Sequence, residues 1–175
     1  MSDKGSIIFG GRYELKKRIA RGGMAEVFLG EDQLLGRPVA VKVLFPEFAS
    51  DPNFVERFRR EAQAAANLSH PNIVGVFDWG KESNTYYIVM EYVEGRTLSQ
   101  IIRKEGPLPT ARVAEIADAI ASAVGFAHKG NVVHRDMKPG NVIISDNGQI
   151  KVADFGIATA ISTGCLLYTS DAADE

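Results

Sequence analysis

The run His134-Arg135-Asp136-Met137-Lys138-Pro139-Gly140-Asn141, with Asp154-Phe155-Gly156 thirteen residues beyond its asparagine, holds the residue types best suited to chemistry. Asn141 and Asp154 offer hard oxygen atoms, the donors that Mg²⁺ prefers beside phosphate oxygens and water. Asp136 is a carboxylate that can take a proton, and Lys138 a cation that can neutralise an anion. The plainer reading is a β-hairpin whose polar residues form the turn between Val132-Val133 and Val142-Ile143-Ile144.

A second set lies upstream. In Val39-Ala40-Val41-Lys42, strand alternation puts Val39, Val41 and Val43 on one face and Ala40, Lys42 and Leu44 on the other. Lys42 thus sits among apolar neighbours, where a cation needs an anionic partner or must snorkel to water. Helical spacing puts Phe54, Phe58, Glu61, Ala65 and Leu68 on one stripe, with a glutamate at its centre. Further upstream, Ile19-Ala20-Arg21-Gly22-Gly23-Met24-Ala25-Glu26-Val27 contains a flexible tip. Glycine suits a loop whose amides approach phosphate oxygens, since a Cβ would intervene. Taken alone, the same segment is equally a plain hairpin turn.

The elements needed to position these residues can be read along the chain. Tyr13 to Arg21, Ala25 to Glu31 and Arg37 to Leu44 read as strands separated by turn residues. A helix is predicted from about Pro52 to Leu68, then strands over Ile73 to Trp79 and Tyr86 to Tyr92. Beyond Glu94-Gly95 the pattern turns helical, with helices over Thr97 to Lys104 and from Pro109 to about His128. Pro109 suits the first helical position, and Val113, Ile116, Ile120, Val124 and Ala127 form the predicted seam. Short strands over Val142 to Ser145 and Gln149 to Val152 flank an Asp146-Asn147-Gly148 turn.

With 45% hydrophobic residues, a chain of 175 residues can bury a core. The near balance of 20 basic against 22 acidic residues gives no nucleic-acid footprint. Cys165 is the single cysteine, which excludes disulfides within the chain and thiolate metal sites. No stretch has the apolar length of a membrane span, and the start has no signal-peptide layout. The expectation is a cytoplasmic location.

Across residues 11 to 161 these motifs resemble bacterial eukaryotic-like (Hanks-type) Ser/Thr protein kinases of the receptor-like group. The wording Gly-Gly-Met-Ala-Glu-Val, Phe58-Arg59-Arg60-Glu61-Ala62 and Ile88-Val89-Met90-Glu91-Tyr92-Val93 carries much of the likeness. The resemblance implies an α+β, two-lobed fold: a five-stranded antiparallel sheet plus one helix over 11–93, and a partial helical lobe over 94–164. It implies ATP and Mg²⁺ as cofactors and Ser/Thr-bearing proteins as substrates. Asp136 would accept the proton of the attacking hydroxyl, and Lys138 would offset charge on the phosphoryl group. Lys42 would pair with Glu61 and orient the phosphates, and Asn141 and Asp154 would hold the metal. Ile19, Ala20, Gly22 and Gly23 would cover the nucleotide, with Val27, Ala40 and Ile143 around the adenine. Met90 would close the back of that pocket, and backbone groups of Glu91 and Val93 would bond the adenine edge. Phe155 would pack under the Glu61 helix near His134 and Val76. Arg135 would meet a phosphorylated residue of the activation segment. Lys138 followed by Pro139 points to Ser/Thr rather than Tyr as acceptor. In such kinases a membrane span and an external sensor often follow the domain, and a kinase-domain dimer is a further partner to consider.

Ala20 and Ala25 stand where the family has glycines, which keeps a nucleotide-binding pseudokinase scaffold as the alternative. A small-molecule kinase of the aminoglycoside type shares the His-x-Asp loop but lacks a counterpart to Lys138 and to the Asp154-Phe155-Gly156 turn. From Cys165 to Glu175 the residues back-translate into the start of a transposase-based sequencing adapter. Residues 165–175 are therefore read as adapter read-through on a C-terminally truncated fragment, inactive as it stands, the alternative being a divergent natural tail.

Overall fold

The computed structural model describes residues 7–155, apart from the side chains of Arg57 and Glu61. Two compact units divide them, residues 7–60 with 77–92, and residues 61–76 with 93–155.

The first unit is a sheet built from segments rich in β-branched and aromatic residues. Its strands are β1 (Ile7–Phe9), β2 (Tyr13–Arg21), β3 (Ala25–Asp32), β4 (Arg37–Leu44), β5 (Val76–Glu82) and β6 (Thr85–Glu91). They lie in the order β1-β2-β3-β4-β6-β5. Beyond the five expected strands, β1 adds a sixth, pairing Ile7 with Leu15 and Phe9 with Tyr13. Three residues followed by Gly10 and Gly11, both with left-handed φ (58° and 64°), are too short to show a period in the sequence.

Alternation along β4 works as expected. Val39 and Val41 pack with Tyr13, Tyr87 and Val89, and Val43 lies against the same cluster. On the other face Ala40, Leu44, Ile88 and Met90 are buried as well. Gly80 makes room for this packing, since a Cβ there would come within 2.7 Å of the Tyr87 ring. Arg12, in the turn before β2, holds Asp32 at the end of β3 through two parallel bonds of 2.8 and 2.7 Å. Asp32 also accepts the amides of Leu34 and Leu35 in the following turn. The guanidinium of Arg12 holds this buried carboxyl down at about 2.

After a single turn, α1 (Pro46–Ala49), comes α2 (Pro52–Ala66). Asp51 starts α2 by accepting the amides of Asn53 and Phe54, with Pro52 as the first helical residue. Phe58, Ala62 and Ala65 bury one stripe of the helix.

In the second unit, α3 (Leu98–Glu105) and α4 (Thr110–Lys129) pack with a small sheet of β7 (Gly95–Thr97), β8 (Val142–Ser145) and β9 (Ile150–Val152). Thr97 and Gln100 close a capping box at the start of α3. Pro109 stands at the N-cap of α4, and Thr110 is the first helical residue, one position later than expected. The buried line of α4 also differs, running through Ile116, Ala119, Ala123 and Ala127, with Val113 49% exposed. Alanines let a helix approach its neighbours closely, and Ala123 and Ala127 meet Ala65, Leu68, Ile73, Val152 and Phe155. Ile120 and Val124 flank this line as partly buried residues.

The strand expected from Ile73 begins instead at Val76. Residues 72–74 have other partners: Ile73 forms a parallel bridge with Val152. No helix among the described residues is long and apolar enough to cross a membrane.

Candidate active site

In the loop 134–141, His134 turns inward and Asp136 outward. His134 is 2% exposed. Its Nδ1 accepts the Asp136 amide at 3.2 Å, and its Nε2 donates to the carbonyl of Ala153 at 2.8 Å. The intervening Arg135 has φ 68°, a left-handed conformation costing about 1–2 kcal/mol in a non-glycine residue. That local strain directs successive side chains to opposite sides and leaves Arg135 itself exposed.

Asn141 sits in a short 3₁₀ turn, Pro139–Asn141, and is 7% exposed. Its Nδ2 donates to the backbone carbonyl of Asp136 at 2.8 Å and to Oδ2 of the same residue at 3.3 Å. With the amide nitrogen so engaged, Oδ1 is the atom offered to a cation. Lys138 places Nζ 3.0 Å from Asp136 Oδ2. The Asp136 side chain stays 41% exposed, open to an incoming hydroxyl.

Asp154 follows directly on a doubly held residue. Ala153 donates its amide to the Asn141 carbonyl at 2.8 Å and accepts from His134 at 2.8 Å. Asp154 has φ 60°, left-handed like Arg135. Phe155 is buried, its ring 4.7 Å from that of His134 at 70°. As expected, it packs with Ala65 near the end of α2 and with Val76, and also with Leu68 just beyond the helix. The structure therefore joins Asp136, Lys138 and Asn141 by direct bonds, and ties Asp154 to them through Ala153. The donor set suits Mg²⁺: a carboxamide oxygen and a carboxylate on a braced backbone.

The first unit carries the expected nucleotide residues in register. Ala20 lies opposite Val27, Val27 opposite Lys42, and Lys42 opposite Ile88. One step along, Leu29 pairs with Ala40 and Ala40 with Met90. Val27, Leu29, Ala40, Lys42, Ile88 and Met90 thus share one face of the sheet. Neither Leu29 nor Ile88 is among the expected nucleotide residues, although the period of two along β3 and β6 points to both. Ile19 and the Gly22-Gly23 turn are exposed, and the Gly22 amide donates to the Ala25 carbonyl at 2.8 Å. Ala25 is buried at the start of β3 and pairs with Leu44. Glu91 pairs with Val39. In the second unit, Val93 and Ile143 are half-buried, and Ile143 pairs with Lys151 and Thr97. The Glu61 side chain, and so its expected pairing with Lys42, lies outside the described residues. So do Gly156, the partner expected for Arg135, and residues 165–175.

The family model for the protein kinase domain matches residues 13–172. The chain belongs to the protein kinase family. It is 51% identical over 160 residues to the serine/threonine-protein kinase PrkC of Bacillus subtilis, which covers 91% of this chain and 25% of that protein. It is 50% identical over 164 residues to the probable serine/threonine-protein kinase PknB of Lactococcus lactis, which covers 93% of this chain and 26% of that one. Among solved structures, the PknI kinase domain of Mycobacterium tuberculosis superposes with a TM-score of 0.78 at 36% identity. That match covers 91% of this chain and 65% of the PknI chain. The fold is thus the α+β fold of protein kinases, and the relatives are bacterial Ser/Thr kinases. The chain spans about a quarter of the length of these curated relatives.

Proposed function

We propose that the protein containing this chain transfers the γ-phosphate of ATP to Ser or Thr hydroxyls of other proteins in the cytoplasm. The observation that carries this is the loop in which Asn141 and Lys138 both bond Asp136. Asp136 takes the proton as the substrate oxygen bonds to the γ-phosphorus and the bond to the ADP oxygen breaks. Lys138 offsets charge on the transferring group. Asn141 and Asp154 hold Mg²⁺, which supplies charge neutralisation on the phosphates when bound. Lys42 would orient the phosphates, with Glu61 as the partner that family likeness implies. Ile19, Ala20, Gly22 and Gly23 cover them, and Val27, Ala40, Met90 and Ile143 surround the adenine. Backbone groups of Glu91 and Val93 bond its edge.

The test is phosphate transfer to itself or a generic protein by the full-length gene product, with Asp136→Asn as control. Transfer that the control loses supports the kinase. Nucleotide binding without transfer supports the pseudokinase scaffold, the reading favoured by Ala20 and Ala25.

A further inference from the structure

Asn72 lies between α2 and β5 and has no place in the chemistry above. Its Nδ2 donates to the Ile150 carbonyl at 2.9 Å, and its own carbonyl accepts the Val152 amide at 2.8 Å. The Val152 carbonyl in turn accepts the Val74 amide at 2.9 Å. Strand β9 is three residues long, and β8 occupies one of its edges. Residues 72–74 serve the other edge, where an unpaired buried carbonyl would carry a desolvation penalty. Two residues past Val152 stands Asp154.

The turn holding Asn72 is itself braced. His70 Nδ1 accepts the Asn72 amide at 3.1 Å, and its Nε2 donates to Ser122 Oγ on α4 at 3.2 Å. The His70 ring also lies 5.0 Å from that of Phe126. This bracket restrains β9 from outside the catalytic loop, whereas the bonds to Ala153 restrain it from within. We infer that Asn72, held by His70, is a positioning residue that fixes β9 and through it the carboxylate of Asp154. The inference rests on the metal role proposed for Asp154.

Two measurements on the full-length protein test it. In the nucleotide-free protein, Asn72→Ala should speed amide exchange over 150–154 while leaving the amides of α3 unchanged. In phosphate transfer, it should raise the Mg²⁺ needed for half-maximal turnover about tenfold, the scale of losing an outer partner of a metal ligand. Saturating Mg²⁺ should restore most of the turnover. Ser122→Ala, which frees only the far side of His70, should shift both readouts in the same direction by less. It also decides the matter if Asn72→Ala does not fold. A wild type without Mg²⁺-dependent transfer overturns the functional reading and this inference with it. An active wild type whose Mg²⁺ requirement and β9 exchange are unchanged in the folded variants overturns the inference alone.

Discussion

Asn141 donates its carboxamide nitrogen to both the backbone carbonyl (2.8 Å) and the carboxylate (3.3 Å) of Asp136. One residue therefore fixes the aspartate's orientation while presenting its own oxygen elsewhere. Asn141→Asp would face the Asp136 carbonyl with an oxygen and its carboxylate with a like charge, so both bonds are lost. Turnover by the full-length protein should fall at least as far as in Asp136→Asn, on the order of 10²–10⁴-fold for loss of a positioned base. Steady-state kinetics checks this, and an Asn141→Asp variant near wild-type rate would remove Asn141 from the site.

Asp32 makes stability depend on acid. Its carboxyl is held at about 2, below its ordinary 3.8, by the bidentate Arg12. The folded state thus favours the ionised form, and the stabilisation is complete above the ordinary value. It is lost as the pH falls from about 4 towards about 2. Thermal melts over that range should show a steep loss in the wild type. Asp32→Asn should melt lower at neutral pH and show a flatter decline, since its amide does not titrate.

The alanine line of α4 sets how closely the helix sits. Ala123 is fully buried against the cluster containing Val152 and Phe155. Ala123→Leu should destabilise by about 1–3 kcal/mol through overpacking. Because Phe155 adjoins Asp154, turnover should fall as well. Denaturant unfolding measures the first effect, and no change in midpoint would show that the cluster has slack.

Residues whose partners are close in sequence, or set by a strict period, are legible in the chain itself. The loop 134–141 and the two faces of β4 are of that kind. Phe155 finds its place beside His134 and Val76 through family likeness rather than through periodicity. What the sequence hides depends on distant pairing. Ile73 looks like the start of a strand by composition, yet it bridges Val152, and its neighbour Asn72 reaches Ile150. The predicted α4 seam fails at Val113 because large apolar residues signal burial more strongly than alanines. Alanines, however, are what close helix packing selects.

Restoring the two family glycines tests whether Ala20 and Ala25 weaken the phosphate grip. Ala25 is 3% exposed and pairs with Leu44 at the start of β3, inside the ladder rather than at the loop's open tip. Ala20 pairs with Val27 on an exposed stretch of β2. Removing the Ala25 methyl should therefore cost about 0.5–1 kcal/mol through the added freedom of the unfolded chain. No approach to phosphate should open in return, because the exposed Gly22-Gly23 turn already offers one. The variant Ala20→Gly with Ala25→Gly is expected to melt lower and to show ATP affinity and turnover within about twofold of the parent. A tenfold gain in either would mean that the alanines obstruct the nucleotide, and would move the balance towards the scaffold reading.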